Sequence, residues 1–190
     1  VTKLRNYKES KSRKANRKHL EDSINKSSEQ ENFLKEIFVA SGHDEEMKHA
    51  VLRMLSSVGL KPVIVQEKVD DGRTLAGELA DYSKVSFAVV LLSPDNMIYQ
   101  KDEPHPRMRA QPQALQNTIF TLGFFIGKLG LNHVFVIHRK EENFDVLSDY
   151  SGVLYIPYEP GVWELALARV LVASGFNIDL TKLLDKAPHA

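Results

Sequence analysis

Residues 113–130, "QALQNTIFTLGFFIGKLG", place Gln113, Asn117 and Thr121 four residues apart in a run that is otherwise mostly apolar. At the 3.6-residue period of an α-helix such positions stack along one face. A polar row on so apolar a helix is either a satisfied seam or the wall of a site. Three short segments elsewhere have the composition of ligand-binding turns. "SGHDEE" (Ser41 to Glu46) offers backbone amides and a helix start that would hold a phosphate, or a plain turn in which Asp44 caps the helix. "DDGRT" (Asp70 to Thr74) sets Arg73, whose planar fork suits a phosphate, beside Thr74, a natural helix cap; a surface turn explains it as simply. In "SPDN" (Ser93 to Asn96), Asp95 would hydrogen-bond a ribose or cap the next turn.

Other chemistries find little support. "SGHDEE" has neither the lysine of a P-loop nor the three-glycine dinucleotide fingerprint. His43 and His49 are six apart and the remaining histidines are scattered, so no metal site is expected. No nucleophile elbow is present. The chain has no cysteine, which excludes a disulfide framework and thiol catalysis and fits a reducing, cytoplasmic compartment. No stretch approaches the roughly 18 to 20 apolar residues of a membrane span, so no membrane association is expected.

The formal net charge is zero, but it is unevenly spread. "KLRNYKESKSRKANRK" (Lys3 to Lys18) is strongly basic and the remainder mildly acidic. The basic stretch would attract nucleic acid through its phosphates. It carries little aromatic interleaving beyond Tyr7, so a solvated helix or linker is the preferred reading and nucleic acid the disfavoured one. The chain opens on Val1 rather than methionine, consistent with an upstream domain.

These segments need a frame to bring them together. Residues 1–34 hold few large apolar side chains and are read as a charged helical or linker segment. From Ile37 short apolar runs alternate with amphipathic stretches, the pattern of a parallel α/β sheet. Strands are expected at Ile37 to Ala40, Pro62 to Val65, Ser86 to Ser93, His133 to His138 and within Gly152 to Tyr158. Helices are expected at Glu45 to Val58, Leu75 to Tyr82, 116–130 and Val162 to Ser174, with a polar loop over 94–112. Five parallel strands with alternating helices imply a three-layer, flavodoxin-like α/β fold over 35–184, followed by a short tail, 185–190. Ligands of such folds bind beyond the carboxyl ends of the strands, where the turns after the first three strands project.

The strings "IFVASGHDEE", "GRTLAGELADYSKVSFAVVLLSPDN", "QNTIFTLGFFIGKLG", "GVLYIP" and "ASGFNIDL" occur in this order. Together they resemble the bacterial TIR-like predicted nucleotide-binding domains, the kind fused to STING domains and found in cyclic-pyrimidine antiphage systems. The likeness covers about Ile37 to Leu184. It implies a TIR-like fold and, in active members, cleavage of NAD+ between nicotinamide and ribose, with NAD+ as substrate or ligand and no separate cofactor. It also implies self-association through the domain. That chemistry needs a carboxylate to orient the ribose and stabilise an oxocarbenium-like transition state.

In that family the glutamate stands in "QN-x-x-F-E-L-G"; here the position is Thr121. Threonine can neither balance a developing cation nor reach as glutamate does. Ser41 replaces the first residue of the usual "HGHD", ahead of Gly42, His43 and Asp44. Gln113 and Leu115 stand where arginines are usual, with Arg107 and Arg109 further upstream. Arg73, Thr74, Asp95, Gln116 and Asn117 match. The resemblance therefore implies a nucleotide-binding or self-assembling module with reduced or lost NAD+ hydrolysis. An active glycohydrolase would draw its acid from elsewhere, for instance from Glu67, Asp70, Asp71 or Asp95 on neighbouring loops. A third reading gives the working role to the basic N-terminal segment.

Overall fold

The computed structural model describes residues 35–64, 74–82, 84–98, 110–142, 144, 152 and 154–181. All belong to the second of the chain's two units, Lys35–Ala190. The basic segment 1–34, the tail 185–190 and the residues Glu67, Asp70, Asp71, Arg73, Arg107 and Arg109 lie outside the described residues.

Five strands form one parallel sheet: β1 (Glu36–Ser41), β2 (Lys61–Ile64), β3 (Phe87–Leu92), β6 (Val134–His138) and β7 (Leu154–Pro157), in the order β2-β1-β3-β6-β7. β3 lies at the centre and all six of its residues are buried, as its unbroken apolar sequence requires of a strand covered on both faces. Alternation of side chains divides the core in two. Ile37, Val39, Phe87, Val89, Leu91, Phe135 and Ile137 face Met47, Val51 and Leu55 of α1 (Glu45–Ser57) and Trp163, Leu167 and Leu171 of α4 (Val162–Ala173). Phe38, Ala40, Ala88, Val90, Leu92 and Val136 face Leu79 of α2 (Leu75–Asp81) and Leu122 and Phe125 of α3 (Gln116–Leu129). This is the expected three-layer α/β arrangement.

Two local expectations are corrected. The 94–112 segment is not simply a loop: β4 (Asn96–Ile98) and β5 (Gln111–Gln113) pair antiparallel, with Asn96 opposite Gln113. Gln113 therefore belongs to a strand and not to the helical row, because α3 begins only at Gln116, after an extended Leu115. The ribbon ties the carboxyl end of β3 to the start of α3, which brings two of the candidate segments to the same end of the sheet. Gly123 and Gly127 lie on the outer side of α3. Both are exposed, and a Cβ built on either meets nothing within 4 Å.

Candidate functional site

Parallel strands β1 and β3 are neighbours, with Ser41 opposite Leu91, so the turns that follow them meet. Asp95 joins the two. Its Oδ1 accepts the His43 backbone N–H at 3.0 Å, and the Ser93 hydroxyl lies 2.9 and 3.0 Å from its two oxygens. The Asp95 side chain is 5% exposed, whereas the His43 ring is 76% exposed with Nδ1 3.9 Å from Oδ1. Gly42 gives the carboxylate room: its missing Cβ would lie 2.0 Å from Asp95 Oδ2. Ser41, Gly42, His43 and Asp95 are thus brought together, and Ser93 is the buried hydroxyl that completes the contact.

The same turn is held from the other side. Asp44 caps α1, its Oδ1 accepting the Met47 N–H at 2.9 Å. Arg139, the first residue beyond β6, donates its Nε–H to Asp44 Oδ2 and its Nη2 to Asp44 Oδ1 at 3.1 Å and to Glu46 Oε2 at 2.7 Å. Its guanidinium lies 4.6 Å above the Tyr158 ring, which stacks on Trp163 at 5.7 Å. Burial pushes the Asp44 carboxyl up, but the Arg139 and Met47 hydrogen bonds outweigh it and hold it below its ordinary value. The bond to Asp44 raises the Arg139 guanidinium further above its ordinary value. Burial, then the nearby Glu46, raises the Tyr158 phenol.

The α3 residues behave differently from one another. Gln116 and Asn117 are exposed in the first turn, which begins without a side-chain cap. Thr121 is buried on the face shared with Thr118, Leu122 and Phe125, and its hydroxyl donates to the Asn117 carbonyl at 2.8 Å. That is the back-bond an isolated helical threonine makes to the preceding turn. Thr74 caps α2, its hydroxyl accepting the Gly77 N–H at 3.2 Å, as its place after "DDGR" suggests.

The order and identity of these segments can be matched outside the chain. Residues 36–160 match the family described as CAP12/Pycsar effector protein, TIR domain. The chain belongs to that family. This TIR domain is 35% identical to the Escherichia coli K12 protein YuaY over 153 residues, 80% of the chain and 49% of YuaY. It is 28% identical to protein tirC of Dictyostelium discoideum over 134 residues, 68% of the chain and 67% of tirC. It is also 28% identical to the Pycsar effector protein XpPycTIR of Xanthomonas perforans over 79 residues, 42% of the chain and 24% of that protein. The chain spans about half the length of YuaY.

Within the TIR domain, the described residues at the carboxyl end of the sheet include the His43 amide, the Ser93 hydroxyl and the carboxylates of Asp95 and Asp44, each already engaged within the protein. Position 121 offers no carboxylate. Among the described residues no group of three or more histidines and acids converges to hold a metal ion, and no helix is long and apolar enough to cross a membrane. The Arg139 cluster escaped sequence reasoning because no motif surrounds it. Its one trace is a basic residue directly after a buried strand, in a fold whose strand ends converge.

Proposed function

We propose that this TIR domain is a nucleotide-binding module of NAD type in which hydrolysis is reduced or lost. The observation that carries the reading is Thr121: where the family places its glutamate, a buried hydroxyl is spent on the carbonyl of Asn117. Cleavage of the nicotinamide bond needs negative charge beside the developing cation, and loss of one such contact lowers rates by roughly a hundredfold or more. Asp95 is a poor replacement, being closed in by His43 and Ser93. Retained Thr74, Gln116 and Asn117 support ligand affinity without turnover. Membership of an effector family supports a role in antiphage defence.

Self-association is the second part of the reading. Val162, Leu165 and Val172 are all exposed and lie three and seven residues apart, so they share one face of α4. Sedimentation at increasing protein concentration reads this out; a single monomer species throughout would remove it.

The binding half is tested by titrating NAD+ and following the proton line widths of its nicotinamide and adenine rings. Broadening that free nicotinamide does not reproduce supports the reading. Unchanged lines at millimolar protein would overturn it.

A further inference from the structure

Gly42 and Asp95 compete for one small volume. A Cβ on Gly42 would lie 2.0 Å from Asp95 Oδ2 and 2.8 Å from Asp95 Cγ. A close-packed interior does not admit such distances, so a side chain at 42 and the carboxylate at 95 exclude each other. The chain has the carboxylate. That group is 5% exposed, its Oδ1 accepts the His43 N–H at 3.0 Å, and the Ser93 hydroxyl lies 2.9 and 3.0 Å from its two oxygens. A carboxylate engaged in this way is turned towards the protein and not towards a ribose.

We infer that Asp95 is a positioning residue: by holding the His43 N–H it fixes the Ser41 to Asp44 turn in the shape that receives the ligand. What the turn receives rests on the nucleotide-binding reading; the latch itself does not. A turn ordered before binding spares the ligand the cost of ordering it, which is how the contact acts on affinity. Arg139 completes the frame by holding Asp44 at the other end of the turn.

Asparagine and alanine separate this role from direct contact. An amide at 95 keeps an oxygen for the His43 N–H and turns its N–H towards the Ser93 oxygen, so the latch survives without charge. Alanine removes it. A carboxylate that bound a ribose directly would be damaged by both.

The test uses the full chain as wild type, Asp95→Asn, Asp95→Ala and Gly42→Ala, with NAD+ titration and amide hydrogen exchange at His43. The expected result is that Asp95→Asn stays within about threefold of wild type in both readouts. Asp95→Ala weakens NAD+ and speeds His43 exchange by about tenfold or more, the scale of one lost hydrogen bond. Gly42→Ala ejects the carboxylate and behaves likewise, adding little in the Asp95→Ala background. Equal damage from Asn and Ala with His43 still protected would place the carboxylate on the ligand and overturn the inference. If wild type binds no NAD+, the nucleotide reading fails by itself. His43 exchange still decides the latch, and equal protection in wild type and Asp95→Ala would refute it.

Discussion

Arg139 and Asp44 are 95 positions apart in the chain and meet through two guanidinium N–H groups at the carboxyl end of the sheet. The carboxylate they share is also the cap of α1. One ion pair therefore joins the end of β6 to the start of α1, and the Tyr158 ring below the guanidinium extends the contact to the residue after β7. The turn between β1 and α1 is fixed through this pair as well as through Asp95.

Removing the guanidinium tests this with a defined pH signature. The Asp44 carboxyl is held below its ordinary value in the folded state. Its contribution is therefore full above the unfolded carboxyl value of about 4 and is lost as pH falls through the depressed folded value. Arg139→Leu should cost about 1.5–3 kcal/mol at pH 7, the range for hydrogen bonds to a charged group. In urea unfolding the gap from wild type should narrow below about pH 4. A gap that stays constant down to pH 3 would contradict the account.

The outer face of α3 yields a prediction of opposite sign. Gly123 and Gly127 are exposed within a helix, and a Cβ at either has open space. Alanine there should stabilise the fold by about 0.5–1 kcal/mol per site, since glycine loses more backbone freedom in a helix. Thermal unfolding of the single variants checks this. A fall in stability would mean that the glycines are packed against something after all.

The hydroxyl of Thr121 should matter little to stability. Its back-bond goes to a carbonyl inside the helix, so Thr121→Val is expected to change stability by less than about 1 kcal/mol. Equilibrium unfolding measures it. A loss of several kcal/mol would show that the hydroxyl holds more than its own helix.

Sequence periodicity gave the strands and helices to within a residue or two because the signals are local. β3 is apolar throughout, α1 shows Met47, Val51, Met54 and Leu55 on one face, and Asp44 and Thr74 cap as their types suggest. What escaped was non-local. Nothing near Gln111 or Asn96 announces that they belong to one ribbon, and Pro112 argues against a strand except at an edge, which is where it lies. Likewise the partners of Asp95 and Asp44 are 52 and 95 residues away. A four-residue spacing carries no mark of where a helix begins, so Gln113 fits the helical row by sequence although it lies in β5.

The account's central claim is that position 121 lacks the acid this chemistry needs. Wild type and Thr121→Glu should be incubated with NAD+ and free nicotinamide followed by proton NMR over hours. The expected result is nicotinamide release from Thr121→Glu at a rate well above any from wild type, provided the variant stays folded by circular dichroism. Nicotinamide released by wild type as fast as by Thr121→Glu would contradict it and would require an acid elsewhere in the chain.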